Sequence, residues 1–385
     1  MPNNRVTVDN MLAGARKATG LSDFGDSWFL EPLDKLVTAI AEEAHLVAPD
    51  APPVERIVQS LGDRLRKVQL LKLHPDIRDE PIHVAGAILG LPRTGSTMLH
   101  RLLASAQQLT ATYWWEAAMP LPFPGEKPGD PRPRKEAAKA AVETFYAAWP
   151  DFRSIHPMDA LAPDEDILLL DKTFLSTTYD SIMTIPSYGF WMAAADKRKS
   201  YEELREWLQI LQWQTPARRA QSWILKTPHH LLGGLHGLME VFPDCAVIMP
   251  HRAIDESLPS YCSMCASLTV GHTADFNAAS LGDYWARRFE MGLRELIETR
   301  RAQPAGRFID VRYTDLLRDP VESALKIVRR LGLERPDTDR STMTAWVEAN
   351  GRENRPPHRY AGTDFGLTPD GIHSRFAFYT DTYLN

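Results

Sequence analysis

A short apolar run, Ile82-His83-Val84-Ala85-Gly86-Ala87-Ile88-Leu89, stops at Gly90-Leu91-Pro92-Arg93-Thr94-Gly95-Ser96-Thr97, and helix-spaced Met98, Leu99, Leu102 and Leu103 follow. Strand, glycine-bearing loop and helix in that order constrain this chain more than any other stretch. Backbone N–H groups and a helix N-terminus then converge on one point and can hold an anion. Gly90 and Gly95 keep the G-x-x-x-x-G spacing of nucleoside-triphosphate loops, with Thr97 at their Ser/Thr position. Ser96 stands where those loops place lysine, and the nearest cation is Arg93, inside the loop. A triphosphatase loop sets its lysine on the β/γ-phosphates and its hydroxyl on Mg²⁺. Here the loop offers amides, the hydroxyls of Thr94, Ser96 and Thr97, and a guanidinium. Such a cradle suits a phosphate next to a transferring group and needs no metal. An ordinary glycine turn is the plainer alternative.

The rest of the chain supplies an α/β frame for that loop. Ser222–Thr227, Cys245–Pro250 and Arg307–Tyr313 read as buried strands, with helices expected over His229–Val241, from near Asp255, and over Val321–Leu331. Strands alternating with helices predict a central parallel sheet with helices on both faces, its ligands at the strands' carboxyl ends. Asp9–Ala18, Leu30–Ala44 and Pro53–Leu73 carry helical periodicity and read as a cap. Residues 109–220 read as a largely helical insertion rich in Phe174, Tyr179, Tyr188, Phe190, Trp191, Trp207 and Trp213, which are either core or the lining of an acceptor pocket. The expected organisation is one domain over 1–385. Its parts are a cap (1–80), the loop unit (82–108), the insertion (109–220), the remaining core (222–335) and a tail (336–385), which from Arg352 to Asn385 reads as packed coil.

Bulk properties exclude several classes. A net charge of -6 argues against a general nucleic-acid binder. Three cysteines make no disulfide framework and suit a reducing compartment; Cys262 and Cys265 form a lone C-x-x-C that reads as packing rather than zinc ligation. With no apolar leader and no apolar run long enough to span a bilayer, the expected setting is cytoplasmic.

Pro92-Arg93-Thr94-Gly95-Ser96-Thr97 resembles the 5′-phosphosulfate loop of sulfotransferases that use 3′-phosphoadenosine-5′-phosphosulfate (PAPS), which reads Pro-Lys/Arg-Ser/Thr-Gly-Thr/Ser-Thr. Val247-Ile248-Met249-Pro250-His251-Arg252 is similar to the strand that ends in the family's 3′-phosphate arginine. Ser260 lies eight positions on, at the spacing of its serine partner, with Ser257 between. Leu225-Lys226-Thr227-Pro228-His229-His230 matches the family's Lys-Thr strand end, but Pro228 stands where cytosolic members carry the histidine base. The Tyr313-Thr314-Asp315-Leu316 segment and Asp319-Pro320 complete an ordered set over about 82–335, closest in look to bacterial sulfotransferases. The family's Arg-Lys-Gly is missing; Arg352, Arg355, His358 and Arg359 are the only cations near its place.

The resemblance implies a P-loop-like fold and transfer of a sulfuryl group to a small alcohol, phenol or amine, releasing 3′-phosphoadenosine-5′-phosphate (PAP) without a metal. Arg93 with Thr94, Gly95, Ser96 and Thr97 would hold the 5′-phosphate, Arg252 and Ser260 the 3′-phosphate, and Arg93 and Lys226 the charge of the leaving group. The base stays open. Glu116, 23 residues after Arg93 and beside Trp114 and Trp115, is one candidate. His229, one residue late, is another, and so is the Asp164-Glu165-Asp166 cluster, whose Asp164 is otherwise expected to cap the helix at Ile167. A kinase using ATP and Mg²⁺ and a non-catalytic nucleotide binder are the competing readings. Homo-oligomerisation is open.

Overall fold

The computed structural model describes residues 6–48, 50–350 and 360–384. Five strands form one parallel sheet: β1 (Val84–Ile88), β2 (Leu109–Thr110), β3 (Ser222–Lys226), β4 (Ala246–His251) and β5 (Phe308–Arg312), in the spatial order β2-β3-β1-β4-β5. After β1 the chain fills one side of the sheet with β2 and β3, then crosses to the other with β4 and β5. The carboxyl end of β1 therefore lies at the point where strand order reverses, the place where open α/β sheets bind ligands. Register sets Ile88 beside both Lys226 and Ile248, and His251 beside Arg312, so the chemistry-bearing residues collect along one edge of the sheet.

β1, whose register shifts between Val84 and Gly86, feeds two cores. Ala85 and Ile88 face a cluster with Leu99, Leu102 and Leu103 of α4 (Ser96–Leu103), Leu325 and Val328 of α16 (Pro320–Arg330), and Met343 of α17 (Asp339–Ala349). Val84 and Ala87 face a larger cluster with Trp207 of α11 (Arg198–Gln214), Leu258 of α13 (Ile254–Thr269), Phe289 of α14 (Ala278–Arg301) and Phe376 of α18 (Pro369–Tyr383). Helices thus cover both faces, as the strand–helix alternation required.

The N-terminal helices α1 (Val8–Thr19), α2 (Leu30–Glu43) and α3 (Pro52–Leu73) pack on Phe174, Tyr179 and Tyr188 from the insertion's α9 (Thr177–Ile182) and α10 (Pro186–Ala194) and the turn before them. Trp207 is likewise fully buried, so these four aromatics are core and do not line an acceptor pocket. The insertion is pinned to the core by a buried ion pair, Arg288 Nη1 to Asp180 Oδ2 at 2.5 Å, with Arg288 also donating to the carbonyls of Gly189 and Leu232. Gly189 has no alternative there, because a Cβ would lie 1.7 Å from the Tyr284 hydroxyl.

Two elements differ from expectation for local reasons. The helix expected from His229 is only a 3₁₀ turn, Pro228–His230; the α-helix proper, α12, is Leu235–Val241. Gly233, at φ +112°, breaks the path between them. The tail, expected as coil, forms α18: Pro369 takes its first turn and the Thr368 hydroxyl accepts the Gly371 N–H. Arg352, Arg355, His358 and Arg359 lie outside the described residues.

Candidate active site

The loop after β1 is shaped by two left-handed residues, Arg93 at φ +70° and Gly95 at φ +82°. A side chain at Gly95 would meet the Tyr313 ring at 3.0 Å, and one at Gly90 would meet Thr94 Oγ1 at 3.1 Å and Pro250 at 3.2 Å. These close approaches explain the glycine spacing. Thr94 is buried and its hydroxyl donates to the Leu91 carbonyl at 2.8 Å, so it closes the loop on itself and leaves only its backbone to a ligand. Ser96 and Thr97 open α4, where first-turn N–H groups have no intrahelical acceptor.

Three cationic or hydroxyl groups from three other elements meet this loop. Arg93 Nε donates to Ser260 Oγ of α13 at 3.2 Å. Arg252, just past β4, donates from Nη1 to the Arg93 carbonyl at 2.6 Å, lies 4.4 Å over the Tyr313 ring, and pairs with Glu256 at 2.7 Å. Lys226, at the end of β3 and 1% exposed, donates to Thr97 Oγ1 at 3.1 Å and to Glu165. The structure therefore brings Arg93, Thr97, Lys226, Arg252 and Ser260 together, though the sequence scatters them over 168 positions.

Beneath Lys226, the Asp166 carboxylate accepts the Lys226 backbone N–H at 2.7 Å and lies 3.1 Å from His230 Nε2. The Tyr201 hydroxyl is 2.7 Å from the other nitrogen of that imidazole. Asp166, not Asp164, opens α8 (Ile167–Leu170). Asp164 instead accepts the Glu165 N–H and lies 3.6 Å from Arg101, so its expected capping role is not observed. Burial raises the Glu165 carboxyl above its ordinary pKa, against the opposing pull of Lys226 and with Asp164 and Asp166 adding to the rise. His156, which no motif singles out, is half-buried and feels Asp164, Lys226, Arg93 and Arg101; burial lowers its pKa to about 4.

The remaining base candidates sit elsewhere. Glu116 is buried in α5 (Trp114–Ala118), where Oε2 accepts the Tyr113 N–H at 3.0 Å and Arg218 Nη2 at 2.9 Å. Both contacts close a helix start, and neither reaches the loop. Glu116→Gln is expected to lower unfolding free energy by about 1.5–3 kcal/mol, the scale of a hydrogen bond to a charged group. The urea midpoint reads this out; a wild-type midpoint with turnover abolished would return the residue to the chemistry. His229 is wholly buried, accepts the Thr177 N–H on Nδ1 at 3.3 Å, and is held well below its ordinary pKa by burial. Cys262 and Cys265 are buried free thiols within α13. Among the described residues no group of three or more His, Cys, Asp or Glu side chains is arranged to hold a metal ion, and no helix is long and apolar enough to cross a membrane.

A glycine-spaced loop at the switch point of a parallel sheet, where two arginines and a lysine meet, marks a P-loop-like α/β fold. The sulfotransferase family matches residues 87–337, and the chain belongs to that family. Over 97% of its length it is 30% identical to the crystal structure of sulfotransferase STF1 from Mycobacterium tuberculosis H37Rv, covering 98% of that chain with a TM-score of 0.83. Sulfotransferase STF9 from Mycobacterium avium shares the fold at 24% identity and a TM-score of 0.88, over 99% of this chain and 97% of that one. No curated protein matches the chain.

Proposed function

We propose that this protein transfers a sulfuryl group from PAPS to a hydroxyl or amine of a small, apolar acceptor. The observation that carries the reading is the linkage Ser260–Arg93–Arg252, which ties the phosphate loop to a second anion site across the sheet edge. One anion cradle would serve many nucleotides. Two cradles sharing Arg93 suit a nucleotide phosphorylated at both 5′ and 3′ positions, since each Arg fork or hydroxyl recognises a separate phosphate.

The residues present fit that donor. First-turn amides of α4 with the hydroxyls of Ser96 and Thr97 would take the 5′-phosphate, and the close-packed Gly90 and Gly95 keep the cradle free of side-chain bulk. Arg252 and Ser260 would take the 3′-phosphate. Ser257, one turn before Ser260, has a buried hydroxyl without a partner among the described residues, which suits a further acceptor. PAPS, when bound, supplies an electrophilic sulfuryl group on a phosphate leaving group. Lys226, fixed by Thr97 and by its backbone bond to Asp166, and Arg93 would stabilise charge developing on that leaving group. Glu165 is the base: its carboxylate touches the same ammonium at the loop mouth, and its raised pKa strengthens it as a proton acceptor.

The kinase reading lacks a loop lysine, since Ser96 holds that place. A non-catalytic binder would not need Lys226 and Glu165 side by side. Calorimetric titration with PAP, beside ATP with Mg²⁺, tests the donor. Micromolar binding of PAP without metal, and much weaker binding of ATP, is expected; preference for Mg-ATP would overturn the proposal.

A further inference from the structure

We infer that the C-terminal segment, residues 360–384, is a latch that positions Arg252 for the nucleotide's 3′-phosphate, with His251, Tyr379 and Tyr360 as its positioning residues. The inference rests on the donor reading above.

Arg252 leaves β4 directly after His251, and His251 is 2% exposed. Its two ring nitrogens are both engaged. Nε2 lies 2.9 Å from Asp310 Oδ1 of β5, and Nδ1 lies 2.6 Å from the Tyr379 hydroxyl of α18. A carboxylate only accepts, so Nε2 carries a proton; in the neutral ring Nδ1 then accepts the Tyr379 O–H. Asp310 is held in turn by Arg300 of α14, two bonds at 2.6 Å each, and Tyr383 stacks on the His251 ring at 5.0 Å with 5° between planes. The backbone from which Arg252 springs is thus fixed by β5 on one side and by the C-terminal helix on the other.

A second contact from the same segment reaches the other side of Arg252. The Tyr360 hydroxyl donates to the Glu256 carbonyl at 3.2 Å, in the first turn of α13. Glu256 is the carboxylate that orients the Arg252 guanidinium. A Cβ at Gly362 would touch Pro259 at 3.4 Å, so the chain after Tyr360 lies along the turn carrying Ser257 and Ser260. The segment therefore holds both the strand that delivers Arg252 and the helix that delivers its partners. A guanidinium fixed in advance loses less freedom on meeting a phosphate, and the gain appears as affinity for that phosphate alone.

Tyr379→Phe keeps the ring and removes only the hydroxyl; Tyr360→Phe does the same at a position near the surface. Each is titrated with PAP and with adenosine 5′-monophosphate, which lacks the 3′-phosphate. Each variant is expected to bind PAP about three- to tenfold more weakly, the effect of one positioning hydrogen bond, with adenosine 5′-monophosphate unchanged. A packing defect would weaken both nucleotides together, and that result would overturn the latch. Wild-type PAP affinity in both variants would overturn it as well. Absence of PAP binding by the wild-type protein would overturn the donor reading and the latch with it, so the two failures are distinguishable.

Discussion

Lys226→Met should reduce turnover on the order of 10²–10³-fold, the usual loss when one preorganised donor to a developing oxyanion is removed. Methionine fills nearly the same volume, so the buried site keeps its packing, and the change removes the charge together with the partner of Glu165. The ammonium sits in a place that magnifies its effect. It is 1% exposed, and its donors are aimed by Thr97 and Glu165 while its backbone is held by Asp166. A fixed, water-poor cation needs no reorganisation when charge appears. If the loop and the two arginines supply most ground-state contacts to phosphate, as proposed, PAP affinity should change far less than the rate. The measurement is release of PAP from PAPS in the presence of a panel of alcohols and phenols, beside calorimetry. Equal losses in affinity and turnover would mean that Lys226 binds the nucleotide rather than stabilises charge during transfer.

The fold and the meeting of the loop with Arg252 and Ser260 were legible because each depends on local spacing. Gly90 and Gly95 mark the loop, and the structure shows the reason: Thr94 and Tyr313 leave no room for a Cβ. Arg252 and Ser260 are eight positions apart, the first just before α13 and the second within it, and this sets both against Arg93. The choice among the base candidates was not legible, because burial decides between them and burial comes from distant chain. Glu116 looked exposed to chemistry beside two tryptophans until Arg218, 102 positions away, closed over it. His229 lost its place because Pro228 starts a 3₁₀ turn that carries the imidazole inward to Thr177. The acidic cluster was one candidate among three, with Asp164 read as a helix cap; the contacts of Lys226, about 60 positions on, with Glu165 and Asp166 are what single it out. The C-terminal helix escaped notice for a similar reason. Its aromatic residues have weak amphipathic order, and their partners, His251 and Asp310, belong to the sheet.

Glu165→Gln should abolish most transfer to alcohols while leaving PAP binding near wild type. General-base assistance typically contributes 10²–10⁴-fold, and glutamine keeps the shape but accepts no proton at neutral pH. The acceptor's own acidity separates this role from a structural one. An alcohol enters the reaction protonated and needs the base; a nitrophenol already ionised at the assay pH does not. The variant should therefore lose far more rate with the alcohol than with the nitrophenolate. The pH profile carries the same signature. Burial raises the Glu165 pKa, so the carboxylate is present above that raised value and wild-type turnover falls as pH drops through it, earlier than for an exposed glutamate. In Glu165→Gln this acid limb should vanish. Equal losses with both acceptors would instead mean that Glu165 serves to aim Lys226. Unchanged turnover would pass the base to His156, which burial keeps neutral down to a pKa of about 4 beside the same cations.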